Sequence, residues 1–202
     1  MLTFLGDAET AIQKIKSGAD HHPEGLLPLI AAMHLDAAAT NQPTVERMTL
    51  IANLYQMGAD RPSLILKARR VARLRAVLWQ HHLQLRDQTS GHPWRQVCLD
   101  NIRRAIDDPE TEAIEFRYYC GLALSLEAVE LTRELLTRWE RLAADDKALP
   151  KMRVVVEMKA NAFPNALRAI DQMLVLDPAD QWALSQRKAA QDAIKKLAES
   201  VP

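Results

Sequence analysis

Glycine is scarce: 6 among 202 residues, none of them clustered. That excludes a glycine-rich phosphate loop, and neither GxGxxG, GxxxxGK[ST] nor GxSxG occurs. Only two cysteines are present, Cys98 and Cys120, with no CxxC pair, which excludes a disulfide framework. Cys120 lies in the apolar run Tyr118-Tyr119-Cys120-Gly121-Leu122, where a buried, inert thiol is expected. No stretch approaches the ~20 uninterrupted apolar residues of a membrane span. The start of the chain, Met1 to Asp7, lacks the basic and long apolar regions of a secretory signal, so a cytoplasmic location is expected. Long β-branched runs are missing as well, apart from Val154-Val155-Val156 inside a helical pattern.

What is plentiful points one way. Ala, Leu, Arg, Glu and Gln dominate, and these residues lose little side-chain freedom in a helix. With 48% hydrophobic and 26% charged residues the chain has globular composition and enough length to bury a core. An all-α fold follows.

Helix boundaries are written in capping and breaking residues. A first helix is expected from Asp7 to about Ser17, and a second through Leu29, Ile30, Met33 and Leu35 to about Ala39. Thr44 should cap a third, with Val45, Met48, Ile51, Leu54 and Tyr55 on one face and Gly58 at its end. Ser63 should cap the longest, over 64–88, whose stripe is Val71, Leu74, Leu78 and Leu85, with His81 in the same stripe. The segment Thr89-Ser90-Gly91-His92-Pro93 is the strongest break, and it divides the chain into 1–90 and 91–202. Beyond it, helices are expected from Trp94 to Ile106, from Pro109 (capped by Asp108) to Leu124, from Ser125 to Leu142, from Leu149 to Ala160, across Ala166 to Leu176, and on to Glu199.

The punctuation of the second half is periodic. Asp108-Pro109 recurs as Asp177-Pro178, and Ala143-Ala144-Asp145-Asp146 falls midway between them. The segment Phe163-Pro164-Asn165-Ala166 through Leu176-Asp177-Pro178 resembles the second helix and closing turn of a tetratricopeptide repeat, whose period is ~34 residues. The two Asp-Pro turns stand close to two such periods apart. Phe163 matches the aromatic before that helix, Ala166 the small contact residue and Pro178 the terminal proline. The resemblance covers 94–202. It implies antiparallel helical hairpins stacked as a short α-solenoid, the alternative being an irregular helical bundle. It also implies a peptide-holding groove lined by the first helix of each unit, and so would place Arg117 and Lys151 there.

Charge is zero overall but unevenly spread. Residues 61–104 carry ten basic and two acidic side chains, between two ends that each sum to −4. Lys67-Ala68-Arg69-Arg70-Val71-Ala72-Arg73-Leu74-Arg75 concentrates that charge at the start of the long helix. It reads either as a face neutralised within the fold or as an anion-binding surface formed by Arg69, Arg70, Arg73 and Arg75. An acidic protein partner suits it better than nucleic acid, because no net basic domain and no basic–aromatic interleaving is present.

The six histidines, His21, His22, His34, His81, His82 and His92, form no i, i+4 ligand pair. Asp107-Asp108 and Asp145-Asp146 sit at turns, where helix capping explains them. No metal, no cofactor and no enzymatic activity is expected. The expected role is an intracellular adaptor that binds a protein through a helical groove or the basic face, with a nucleic-acid-associated regulator and a non-catalytic subunit of an enzyme complex as alternatives. Zero net charge and the long apolar-striped helix are also compatible with a homo-oligomer.

Overall fold

The computed structural model describes residue 17 and residues 26–39, 43–62, 64–87, 91 and 93–199. The expected Asp7–Ser17 helix, the Ser63 cap and His21, His22 and His92 lie outside the described residues, Ser17 excepted. Nine α-helices and no strand make up what is described. They are α1 (Leu27–Ala37), α2 (Val45–Ala59), α3 (Leu66–Arg86), α4 (Trp94–Asp107), α5 (Ala113–Ser125), α6 (Val129–Leu142), α7 (Ala148–Lys159), α8 (Phe163–Leu176) and α9 (Gln181–Glu199). None is long and apolar enough to cross a membrane. Two compact units divide the chain at Glu110 and Thr111, so α4 belongs with α3 and the Thr89–Pro93 break lies inside the first unit.

In the first unit each helix packs on the next. Thr44 caps α2 as expected, accepting from the Arg47 N–H at 3.2 Å. Gly58 does not end that helix. It sits in the last turn, where a Cβ would lie 3.4 Å from the Ala72 Cβ and 3.6 Å from Leu29, so its missing side chain lets α2 approach both α1 and α3. The same need for closeness decides which face of α3 is buried. Ala72, Ala76, Val77, Gln80 and Leu83 turn inward, while Val71 and Leu85 of the expected stripe are exposed. Small side chains at the crossing win over larger ones because α3 packs against α2 on one side and α4 on the other.

The second unit is built on a recurrence. Helices α6 and α8 are each 14 residues long. Their first residues, Val129 and Phe163, stand 34 residues apart, one period of this recurrence. Only three residues join α5 to α6 and α7 to α8. Three residues reach ~10 Å at most, about half the ~20 Å length of α6, so each connected pair is antiparallel.

Both connections have one geometry. Glu127 (φ 59°) and Asn161 (φ 56°) adopt the left-handed conformation. Behind them the Ala128 N–H bonds to the Ala123 carbonyl and the Ala162 N–H to the Glu157 carbonyl, both at 2.9 Å. The Glu127 and Asn161 N–H groups bond to the Leu124 and Met158 carbonyls at 3.1 Å, completing a Schellman motif in each turn. Ser125-Leu126-Glu127 therefore closes α5 and does not start α6.

The far ends repeat too. The Asp146 N–H bonds to the Ala143 carbonyl, and the Asp180 N–H to the Asp177 carbonyl. Asp146 and Asp180 then accept N–H groups at the starts of α7 and α9, the capping role expected of Asp146. Pro109 is not a first-turn residue. Asp108 caps the C-terminal end of α4, residues 109 and 110 form a turn, and α5 starts at Ala113. The start of α5 is held by a Glu112–Glu115 capping box, the Glu112 N–H donating to Glu115 at 2.8 Å.

Packing follows the same register. Thr132 and Ala166, one period apart, are both fully buried, so a small residue stands at the same place on α6 and α8. Leu136 and Ile170, and Trp139 and Met173, are the matching apolar contacts. Trp139 also donates Nε1–H to Asp146 at 3.1 Å, which ties the end of α6 to the cap of α7. Cys98 and Cys120 are fully buried, and burial pushes both thiols up to about 12.

Glu127 is exposed and held at positive φ, where a Cβ costs ~1 kcal/mol. Glu127→Gly should raise stability by roughly 0.5–1 kcal/mol, read as a higher urea midpoint with an unchanged m-value. Glu127→Val should lower it.

Candidate functional site

The basic segment of α3 does not present its arginines as one open surface. Arg73 donates to Asp108 at 2.8 Å, with the two side chains only 16% and 17% exposed. Arg69 is half-buried, with its Nε sealed from solvent and its charge acting on the same carboxylate. Arg75 reaches Asp36 at 3.6 Å, and that carboxylate also accepts the Tyr55 hydroxyl at 2.8 Å. Burial and the bond to Asp36 both raise the Tyr55 pKa. Arg70 is half-buried and engaged in an interaction of its own. Much of the positive charge of this helix is thus answered by acidic residues of α1 and of the end of α4.

Arg117 and Lys151 occupy exposed positions of α5 and α7, one period apart. Lys151 lies over the Trp182 ring, 5.6 Å from its centroid, a cation–π contact between α7 and α9. Neither lines a groove of the second unit that runs between α6 and α8 with α7 between them.

That groove has a volume of about 520 Å³. Its cations are Arg133 on α6, Arg153 on α7 and Arg168 on α8, and its one carboxylate is Glu157. Arg133 donates Nε–H to Glu157 at 3.1 Å and Nη2–H at 2.6 Å, a two-point bridge from α6 to α7, and bonds Glu130 at 2.7 Å. These carboxylates, Glu157 foremost, raise the Arg133 pKa and fix its charge. Asn165 donates to the same Glu157 at 3.4 Å. Arg153 pairs with Glu140 at 2.8 Å. Among the described residues nothing pairs with Arg168, which is exposed at the groove wall beside Gln172 and Asn165. Ala169 opens the space. The matching residue one period earlier is Leu135, and Ala169 brings no such bulk to the wall.

A second groove, of about 380 Å³, belongs to the first unit. It is walled by α2 and α4, with Gln80 of α3 between them. Its α4 residues Val97, Asp100, Asn101 and Arg104 stand two periods before Asn165, Arg168, Ala169 and Gln172, in the same register. Sequence reading found neither groove. The usable signal was three polar residues among four positions at i, i+3, i+4 and i+7, namely Asp100, Asn101 and Arg104 on α4 and Asn165, Arg168 and Gln172 on α8.

Among the described residues no group of three His, Cys, Asp or Glu is placed to hold a metal ion. Burial and the neighbouring His82 charge lower the His81 pKa. In comparisons with known proteins, no family model, no curated protein and no solved structure matches this chain.

Burial opposes the charge on Asp108. The Glu110 N–H, the Arg73 guanidinium and the Arg69 charge outweigh it and hold the carboxyl below its ordinary range. A carboxyl whose folded pKa lies below its unfolded value of ~3.9 stabilises above that pH and loses the effect as pH falls. Asp108→Asn should therefore cost about 1–2 kcal/mol at neutral pH. The difference from the parent should close below pH ~4 in urea titrations run across that range.

Proposed function

We propose that this chain is a non-catalytic, intracellular interaction module of tetratricopeptide-like construction. In this reading the α6–α8 groove takes an extended acidic segment of a partner protein. One observation carries it: Arg168 stands uncompensated in a groove whose other two arginines are already held by glutamates. An incoming carboxylate meets a free guanidinium there, with the Gln172 and Asn165 amides beside it as hydrogen-bonding groups. Charge attraction would steer encounter and fix register, while the polar walls limit affinity. The recurrence of turn, cap and small-residue contact at a single period supports the tetratricopeptide-like reading.

Nucleic acid is the weaker ligand. Arg69 and Arg73 are turned toward Asp108 and Arg75 toward Asp36, so the α3 cluster offers no continuous track for phosphates.

The test is fluorescence anisotropy with a capped oligoglutamate peptide and an oligothymidine strand of equal length at physiological salt. The peptide should bind the full chain, and Arg168→Glu should weaken it by about tenfold, while Arg70→Ala leaves it unchanged. Tighter binding of the strand, falling steeply with salt and indifferent to Arg168→Glu, would overturn the reading.

A further inference from the structure

The groove of the first unit has a different chemistry from the arginine groove, at the same register. Four polar side chains cross it as a relay. Asn101 Nδ2 donates to Gln80 Oε1 at 2.9 Å, Gln80 Nε2 donates to Gln56 Oε1 at 3.4 Å, and Gln56 Nε2 donates to both Asp60 oxygens at 3.0 and 2.9 Å. Gln80 and Asn101 are 3% and 5% exposed, so two carboxamides are buried in a groove wall, where a polar group must be satisfied or costs stability.

The relay does not exhaust them. A carboxamide carries two N–H donors and an oxygen with two lone pairs. Asn101 uses one donor on Gln80, which leaves its Oδ1 and a second N–H. Across the groove the side chain of Asn53, exposed on α2, makes no hydrogen bond to a described residue. Two amides with unused donors and acceptors therefore line opposite walls.

We infer that this groove binds the main chain of an extended peptide, gripped through the carboxamides of Asn53 and Asn101. A side-chain amide presents a donor and an acceptor in one plane, matching the N–H and C=O that an extended residue displays together. The dimensions agree. Thr49, Asn53 and Gln56 on one wall and Val97, Asn101 and Arg104 on the other each span seven steps of helix, about 10 Å. Three extended residues cover the same ~10 Å. The charges of the lining, Asp100 and Arg104, cancel, so the groove selects neither a phosphate backbone nor an acidic side chain. Trp94 lines it but is only 5% exposed and offers no face on which a base could stack. Neutral amides in a slot of this length suit the paired donor and acceptor of an extended peptide backbone.

The probe is an uncharged threonine–serine repeat peptide, acetylated and amidated, titrated into the 15N-labelled full chain. A second peptide of the same sequence carries N-methyl groups on alternate residues, which removes backbone donors and keeps the side chains. The side-chain amide signals of Asn53 and Asn101 should shift saturably with the first peptide and stay put with the second. Asn53→Ala, an exposed change that leaves the relay intact, should weaken binding about fivefold. Arg168→Glu should leave it unchanged, which separates this site from the acidic-segment groove. Equal shifts with the N-methylated peptide, no shift at Asn53 and Asn101, or unaltered affinity in Asn53→Ala would each overturn the inference.

Discussion

The second unit depends on one backbone constraint: a single left-handed residue, Glu127 or Asn161, followed at once by the next helix. Because that residue reverses the chain within three positions, the following helix returns along the one just completed. Its buried face is then set by how far along the helix the small residue falls. Thr132 and Ala166 both occur five positions after the left-handed residue, at the same point of their helices. Backbone sterics, helical periodicity and close packing therefore converge on one arrangement, and each supports the others. Substituting the turn residue alters a torsion, whereas substituting the small residue alters a contact; both act on the same crossing.

The grooves follow from this arrangement. A helix that places its apolar stripe against neighbours on two sides leaves a further edge to line a groove, and on α4 and α8 that edge is the same set of register positions. What differs is the residue chosen at each. Asn101 against Ala169, and Asp100 against Arg168, give one groove facing amides and the other an arginine with no partner among the described residues. The same register positions thus carry two chemistries, set by which residue stands at each.

Much of the helical layout was legible in the sequence because it is encoded by local residues: Thr44 as a cap, Asp146 at a turn, and Pro178 in the turn after α8. The errors arose where distant packing decides. Val71 and Leu85 look like core residues by spacing, yet α3 buries Ala72 and Ala76 because two helices need room beside it. Asp108-Pro109 looks like a helix start, but Asp108 is drawn to Arg73, far back on α3, a partner that no local pattern announces. Glutamate in a left-handed turn carries no composition signal at all, since the position usually takes glycine or asparagine; Asn161 was the readable member of the pair. The arginines of 67–75 stood out as a block, although their partners are scattered over α1 and the end of α4. Arg168, single and unclustered, gave nothing to notice until Ala169 and the opposing helix were in place.

The stretch from Val129 to Ala162 enters and leaves by matching ends. Ala128 and Ala162, the residues just ahead of α6 and α8, share nearly the same backbone angles (φ −90°, ψ 66° and φ −88°, ψ 55°). A tandem duplication of that stretch, spliced after Ala162, would meet a junction already present in the parent chain. Its new helices would find the contacts that α6 and α8 find now. Lengthening by whole units is therefore open to this half of the molecule by recombination alone, with no compensating mutation at the seam, whereas an insertion of any other length would rotate every helix after it out of register.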